Sequence, residues 1–373
     1  VILLLVYGTV MVNSATAGSG LARQVLGIVV GAGLLVFFWI FDYRKMKDWS
    51  TPLLILGALL MLAPRIPGLG YSAGGAQSWL AIAGIRLFQP AQPVGTGGFQ
   101  PAEPAKLVII LFYASIVLRN DGKIESLKEY LKLLGIAFIP VILILTQPDL
   151  GTGLVFIAIA LGVLLMGGAK ARWLITTLVV GVALAIGMVS LNTWLENTGR
   201  PVILKAYQMN RLLVFVDQTR DPKGAGYNLK QSKIAIGSGE VAGKGIGAGT
   251  QGNLNFLPAR STDFIFSVIG EDLGFTGAAV LLGLYLALLM VALSVAVSSV
   301  DLFGTLVAAG IMSMWVFQIL ENIGMTVGVM PITGIPLPFM SYGSSFMVTN
   351  LACIGVLLSI WTRRPFQSIS KGV

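Results

Sequence analysis

The sequence predicts an all-α polytopic membrane protein of about ten transmembrane helices, with a long structured extracellular loop before the eighth. Three observations predict it. Hydrophobic residues make up 55% of the 373 positions and charged residues 11%, against about 25% charged in soluble domains. The apolar runs are long and unbroken, without the two-residue alternation of barrel strands. The basic residues of the short loops fall on one side when ten helices alternate across the bilayer.

A hydrocarbon core of about 30 Å takes roughly 17–25 apolar helical residues. Candidate segments lie near 1–12, 22–41, 52–63, 104–118, 132–147, 151–168, 172–191, 264–296, 302–329 and 344–362. The first, VILLLVYGTVMV, has no basic leader and more spans follow it. It reads as a helix rather than a signal peptide, with a short native N-terminus expected before it. The third is short and is followed by Pro64 and Pro67. It either extends, or the region to 102 dips back as a re-entrant element.

Orientation follows from the short loops. DYRKMKDW, RNDGKIESLKEYLK, GGAKARW and the tail TRRPFQSISKGV are rich in Lys and Arg. That side reads as cytoplasmic and holds both termini, so the expected location is a bacterial cytoplasmic (inner) membrane, crossed many times. Two outer segments stand apart within one transmembrane domain over 1–373. Residues 64–103 are Gly/Pro-rich and contain FQPAQPVG at 88–95, echoed as FQPAEPAK at 99–106. Residues 192–262 are basic too, but long loops translocate largely regardless of charge. Within them YQMNRLLVFVDQ reads as an amphipathic helix lying on the membrane.

The formal net charge is +9, with no His and one Cys. Dispersed over loops, this charge fits topology and anionic membrane lipids rather than nucleic acid. Without His, proton transfer falls to carboxylates, Lys or Tyr, and a His-ligated metal site is excluded. Cys353 lies in an apolar run and reads as a packed core thiol.

Several motifs carry polar chemistry. GSGEVAGKGIGAGT at 237–250 resembles a phosphate loop but fails its pattern. Ser238 stands where Gly is needed, and Gly245 follows Lys244 where Ser or Thr is needed. It reads as a turn-rich loop packed close to backbone, with Lys244 able to face an anionic headgroup. Glu103 and Lys106 are three apart at the outer end of a span, on one helical face. They form either a local ion pair or a charged cavity wall. Glu321 and Gln318 lie deep in FQILENIGMTVGVM, where interhelical hydrogen bonding with Asn322 competes with direct chemistry. Asp149 in PDLG reads first as a helix N-cap.

The stretch NFLPARSTDFIFSVIGEDLG, 255–274, places three acids where a basic loop enters an apolar run. Ser261 and Thr262 are expected to cap the helix, which puts Asp263 in its first turn. The helix end favours the anion and burial opposes it. Together they leave a carboxylate that is ionised yet able to accept a proton. Ser267 and Glu271 follow at helical spacing, so a polar stripe is expected to line a cavity. Glu271 shapes or pairs within the bundle, and Asp272 points away on an ideal helix.

These residues resemble the SEDS family (shape, elongation, division and sporulation). The likeness runs through QPDLGTG (147–153), GAGYNLKQSKIAIGSG (224–239), GKGIGAGTQGNLNFLPARSTDFIF (243–266), EDLGFTG (271–277) and NIGMTVGVMPITGIPLPFMSYGSS (322–345). The GTQGNLNFLP form is similar to the elongation branch. The resemblance implies a peptidoglycan glycosyltransferase that polymerises lipid II, an undecaprenyl-pyrophosphate-linked disaccharide-pentapeptide, at the outer membrane face during elongation. It implies a class B penicillin-binding protein as partner. It ties catalysis to the Asp of TDFIF, here Asp263. It matches QPAEPAK to a family motif through Glu103 and Lys106, and GAQSW to another through Trp79. Ser78 stands where the family usually has Arg. The doubled FQPA adds about eleven residues, counted between the two copies. SYGSS lacks one Gly of the usual motif.

On this reading Asp263 is the general base and Glu103 supports the site. Lys106, Arg211, Lys233 and Lys244 are candidates for the pyrophosphate or saccharide, and Gln318 and Ser344 for supporting roles. A divalent cation, magnesium or manganese, could assist the leaving group, although the sequence offers no ligand cluster. Two rival readings remain: a lipid II flippase, and a scaffold that only recruits a penicillin-binding protein. Internal inverted symmetry, common in transporters, is not evident.

Overall fold

The computed structural model describes residues 1–66, 70–73, 76–80, 99–120, 124–147, 149–204, 206–253 and 256–364. The first FQPA copy and Lys371 lie outside them. Helices are α1 (Ile2–Thr16), α2 (Leu21–Ile40), α3 (Ser50–Leu62), α4 (Ala102–Leu118), α5 (Leu127–Leu145), α6 (Leu150–Met166) and α7 (Ala171–Asn197). Then come α8 (Ala206–Leu213), α9 (Ala225–Ser238), α10 (Thr250–Asn253), α11 (Ile265–Val297), α12 (Leu302–Val327) and α13 (Ser344–Thr362). Among the described residues five helices, α2, α7, α11, α12 and α13, have the length and apolarity to cross a membrane unaided.

After α3, much of the region to 102 lies outside the described residues, so neither the extension nor the re-entrant reading is tested there. Strands β1 (Gly70–Ala73) and β2 (Ala76–Leu80) pair antiparallel, with Tyr71 opposite Trp79. Leu80 then bridges to Phe99. Apart from this small ribbon and single 3-10 turns, the described elements are helical. Paired strands satisfy their backbone groups between themselves, which a short irregular segment near the membrane cannot do alone.

The bundle is held by close backbone approach and buried polar bonds. A Cβ added at Gly355 of α13 would lie 2.4 Å from the Leu35 carbonyl oxygen of α2. One added at Gly162 of α6 would lie 1.7 Å from Ser313 Oγ of α12. Small residues at such contacts let membrane helices pack tightly. The Trp315 indole N–H donates to Asn350 Oδ1 at 2.7 Å, joining α12 to α13. By contrast, α7 buries just Leu174 and Asn192 and presents Ile175, Leu178, Val182 and Ile186 outward. In a bilayer those side chains face hydrocarbon, where they are at home.

Two regions of the bundle carry different chemistry. At one end Arg44 Nη2 donates to the Arg363 carbonyl at 3.1 Å, Arg363 pairs with Asp42 at 3.7 Å, and Arg44 pairs with Asp301 at 3.4 Å. Elsewhere α9, the last turn of α12, and the turns before α11 and after α12 contribute to a second apolar cluster. Its members are Val214, Leu229, Leu257, Phe264, Met325 and Ile332. The α8 segment packs into this cluster through Val214. Phe215 and Val216, which follow, are exposed.

Candidate functional site

Asp263 does not sit in the first turn of α11, as the sequence suggested. Ala259 adopts φ 54°, and the amides of Thr262 and Phe264 both donate to its carbonyl. This tight turn delays the helix until Ile265, and α11 has no side-chain cap. The expected capping hydroxyls serve elsewhere. Thr262 Oγ1 donates to the Ala259 carbonyl at 3.2 Å and also contacts the Asp263 carboxylate. The Ser261 carbonyl receives the Tyr342 amide at 2.8 Å.

The turn is clamped from behind. Asn322 Nδ2 donates to the Asp263 carbonyl at 2.8 Å and to the Ile335 carbonyl at 2.7 Å. Ser341 Oγ donates to the Thr262 carbonyl at 2.7 Å and accepts the Leu337 amide at 2.7 Å. The 331–341 segment is thus stitched to the Asp263 turn, with α12 beneath both. Such bonds fix the backbone from which a reacting side chain projects.

The side chain itself meets different groups. Asp263 is half-buried and makes no ion pair among the described residues. Gly334, at φ 76°, lies against it: a Cβ there would be 3.1 Å from Asp263 Oδ2 and 3.6 Å from Arg211 Nη1. Arg211 Nη1 donates to the Thr333 carbonyl at 3.3 Å. Burial pushes the Asp263 carboxyl up to about 6, against the opposing pull of Arg211 and of the Thr262 contact, with Asp149 adding a small push upward. Asp149 N-caps α6, accepting the Thr152 amide at 2.9 Å and its hydroxyl at 2.8 Å. Its charge also acts on Glu103.

At the start of α4, Lys106 and Glu103 form a buried ion pair at 2.7 Å, at 2% and 3% side-chain exposure. Lys106 Nζ also lies 5.4 Å from the centre of the Phe346 ring. Gln318 is buried, and neither side-chain polar atom has a hydrogen-bond partner. Ser344 heads α13 against Gly27 of α2, where a Cβ would lie 3.1 Å from Ser344 Cα. The neighbouring Ser345 Oγ accepts the Gln100 amide at 3.1 Å.

Three other expected participants lie on other elements: the glycine loop, α9 and β2. Lys244 Nζ is held by Glu271 Oε1 at 2.7 Å and Thr250 Oγ1 at 2.8 Å. Lys233 is exposed and its Nζ lies 3.4 Å from Gln218 Oε1. Trp79 is half-buried in the ribbon; the Ser78 side chain lies outside the described residues. The predicted polar stripe is not a cavity wall either. Ser267 bonds to Ser232 of α9 at 2.6 Å. Glu271 Oε1 accepts from Lys244, from the Thr250 amide and hydroxyl, and from the Gln251 amide, at 2.7 to 3.0 Å. Asp272 accepts from Ser14 and from the Gly247 amide.

The glycine loop explains that arrangement. α11 breaks at Gly274, which adopts φ 64° and ψ −160°. Into the break fits the backbone of Val241–Gly243: a Cβ at Gly274 would lie 2.4 Å from the Gly243 amide nitrogen. Phe275 N donates to the Glu240 carbonyl at 2.9 Å, and Lys244 N to the Glu271 carbonyl at 3.0 Å. Glycine is needed where two backbones approach so closely at positive φ. The loop is a backbone-docked anchor, as its composition suggested.

Thr333 and Gly334 are site residues that sequence reasoning missed. The available signal was PITGIP at 331–336, a glycine between two prolines directly after an apolar helix. Among the described residues, no three His, Cys, Asp or Glu side chains converge to hold a metal ion.

Fold and site together define a polytopic membrane protein with a buried carboxylate turn at one end of its bundle. The chain belongs to the FtsW/RodA/SpoVE family, whose sequence profile, described as a cell cycle protein, matches residues 1–365. It is 37% identical over 369 residues to the peptidoglycan glycosyltransferase MrdB of Escherichia coli K12, covering 98% of this chain and 93% of that one. It is 34% identical over 403 residues to the peptidoglycan glycosyltransferase RodA of Treponema pallidum, covering 92% and 89%. Its structure is similar to a chain of a peptidoglycan synthase complex that coordinates polymerization and crosslinking. There the TM-score is 0.76 at 29% identity, covering 98% of this chain and 96% of that one. It is also similar to the rod shape determining protein RodA of Thermus thermophilus, at TM-score 0.66 and 27% identity, covering 97% and 94%.

Proposed function

We propose that this chain is a peptidoglycan glycosyltransferase that polymerises lipid II at the outer face of a bacterial cytoplasmic membrane during cell elongation, with Asp263 as general base. The family membership and the names of its relatives support the reaction class. One observation carries the role of Asp263: a half-buried carboxylate, free of ion pairs among the described residues, is backed by fixed backbone and faced by one arginine.

In this reaction a sugar hydroxyl attacks the anomeric carbon of a second sugar. The new carbon–oxygen bond forms as the bond from that carbon to the lipid pyrophosphate oxygen breaks. Asp263 takes the hydroxyl proton, and the pyrophosphate leaves with the bonding electrons. A base with a pKa near 6 is ionised at neutral pH and still accepts a proton in the transition state. Arg211, half-buried beside Asp263, supplies charge to the leaving phosphates, where a guanidinium binds well. Lys106 is neutralised by Glu103, so the pair shapes the floor of the site. Lys244 has its charge met by Glu271 and anchors the glycine loop. Lys233, Trp79, Gln318 and Ser344 are proposed as peripheral contacts for the saccharides or their supports. A class B penicillin-binding protein is the proposed partner, and both termini are proposed to be cytoplasmic.

The test is the chain with its partner, lipid II, and the transpeptidase blocked. Wild type is expected to make polymer, and Asp263→Asn to lose about 10²–10⁴-fold in rate. Full polymerisation by a folded Asp263→Asn variant overturns the base assignment. Lipid II crossing liposomes without polymer would favour the flippase reading.

A further inference from the structure

Three unengaged polar groups meet at one junction beside the Asp263 turn. The first is Gln24 of α2, which is 1% exposed, with no hydrogen-bond partner for either polar atom of its carboxamide. Gln24, Gly27 and Gly31 form the buried face of α2. A Cβ on Gly31 would lie 2.6 Å from Leu351 Cδ1, and one on Gly27 3.1 Å from Ser344 Cα. With Gly355 against Leu35, these contacts run α2 and α13 side by side in the same direction. Gln24, one turn before Gly27 on the same face, therefore stands at the N-terminal end of α13. That end is the second group. No side chain caps it, and its first backbone bond runs from the Met347 amide to the Gly343 carbonyl at 2.9 Å. The third is Arg260. Its Nε donates to the Ala15 carbonyl of α1 at 2.6 Å, but Nη1 is buried without a partner. Arg260 makes no ion pair with any described Asp or Glu.

Contacts close these pieces into one ring. The Tyr342 amide donates to the Ser261 carbonyl at 2.8 Å, which ties the residue after Arg260 to the residue before Gly343. Gly343 heads α13, and Ser344 lies against Gly27, one turn from Gln24. The turn between α2 and α1 leads back to Ala15, with the Gln24 amide bonded to the Gly20 carbonyl at 3.1 Å. Arg260, Ser261, Gly343 and Ser344 are half-buried, so the ring is not sealed. Structural duties do not use up its donors. The C-terminal end of α1 favours a cation, which accounts for Nε of Arg260. Nη1 and the Gln24 carboxamide are left over, although buried polar groups are paired in nearly all proteins. A guanidinium without a counter-charge is costly to bury. The start of α4 reaches the ring through the Gln100 amide on Ser345 Oγ at 3.1 Å, and its Glu103 and Lys106 cancel each other.

A guanidinium, a carboxamide and the amides of a helix N-terminus all present N–H donors, and together they suit a phosphate. We propose that this ring of Arg260, Gln24 and the head of α13 is a subsite for a phosphate carried on a lipid. It is separate from Arg211, which approaches Asp263 past Gly334. In the reaction above, that phosphate belongs to the pyrophosphate of one lipid II molecule, a part that rests on the proposed glycosyl transfer. An anionic phospholipid headgroup offers the same chemistry, and the experiment separates the two sources.

The experiment measures binding rather than turnover, with the full chain and its partner in nanodiscs of neutral lipid. The probes are undecaprenyl pyrophosphate, phosphatidylglycerol and, as a lipid without phosphate, undecaprenol. Arg260→Gln is expected to weaken binding of a phosphate lipid about tenfold or more. Gln24→Leu suits the buried position, removes the carboxamide donor and should weaken it about threefold or more. Undecaprenol binding should stay as in wild type. A loss confined to undecaprenyl pyrophosphate assigns the subsite to the lipid of the reaction, and a loss confined to phosphatidylglycerol assigns it to a phospholipid. Unchanged affinity for both phosphate lipids in Gln24→Leu overturns the proposal, whether or not Arg260→Gln folds. An equal loss for undecaprenol marks a packing defect and overturns it as well. Failure of the glycosyl-transfer reading looks different: binding would still depend on Arg260 and Gln24, while wild type made no polymer.

Discussion

Glu271 Oε1 accepts four hydrogen bonds, one of them from a lysine, while eight residues earlier the Asp263 carboxylate is met by Thr262 and by no described ion-pair partner. Both acids lie in one short stretch, Glu271 buried and Asp263 half-buried. The difference is what surrounds them. Glu271 and Asp272 face a loop full of free amides, donated by chain that bends at glycines. Asp263 faces Gly334 and an arginine whose hydrogen bond is directed elsewhere. A carboxylate oxygen that accepts several hydrogen bonds and an ion pair serves as a structural anchor. One left with open lone pairs in a low-dielectric turn is a base in waiting.

The sharpest way to break this comparison is the wild-type pH profile together with Asp263→Asn. An acid raised to about 6 is protonated, and useless as a base, below that pH. Polymerisation should rise with pH through about 6 and then level, while Asp263→Asn should sit about 10²–10⁴-fold below the plateau at every pH. A limb near 4 in wild type would mean the turn is wetter than its packing indicates.

Next in size is Gly334→Ala. A side chain at φ 76° is strained, and its Cβ would press on Asp263 Oδ2. Displacement of a reacting group costs about 10–100-fold in rate, so activity should fall by that order while the protein remains folded. Glu271→Gln probes the opposite region. It keeps the shape and loses the charge, so thermal stability should fall by about 2 kcal/mol. The acid limb of activity should stay where it was. Lys244→Met is the smallest, because Lys244 is partly exposed, at 27% side-chain exposure. A stability loss of about 1 kcal/mol is expected, read in a melting experiment. A large loss of turnover at full stability would instead bring Lys244 into the reaction.

Local features were legible because their partners are close in sequence. Asp149 as an N-cap and Glu103 with Lys106 as a pair each span three residues. The glycine loop was legible as a tight backbone packing element, since its residues exclude the alternatives. Its docking site was not: Lys244 and Glu271 are 27 residues apart. The start of α11 was misjudged because Ser261 and Thr262 are good caps in isolation. Ala259 at positive φ and the 331–341 segment claimed those residues first. Asn322 was visible as a polar residue in a span, yet its bond to Asp263 bridges 59 positions.

The sequence by itself determined a membrane protein of apolar helices, the family, and the short list of acids available for chemistry. Those follow from composition, run length and ordered motifs, all of which are local. Only the tertiary structure decided which acids are quenched and which are left open. Satisfying a carboxylate depends on donors brought from distant turns, and in a low-dielectric interior each donor present or missing changes what the group can do.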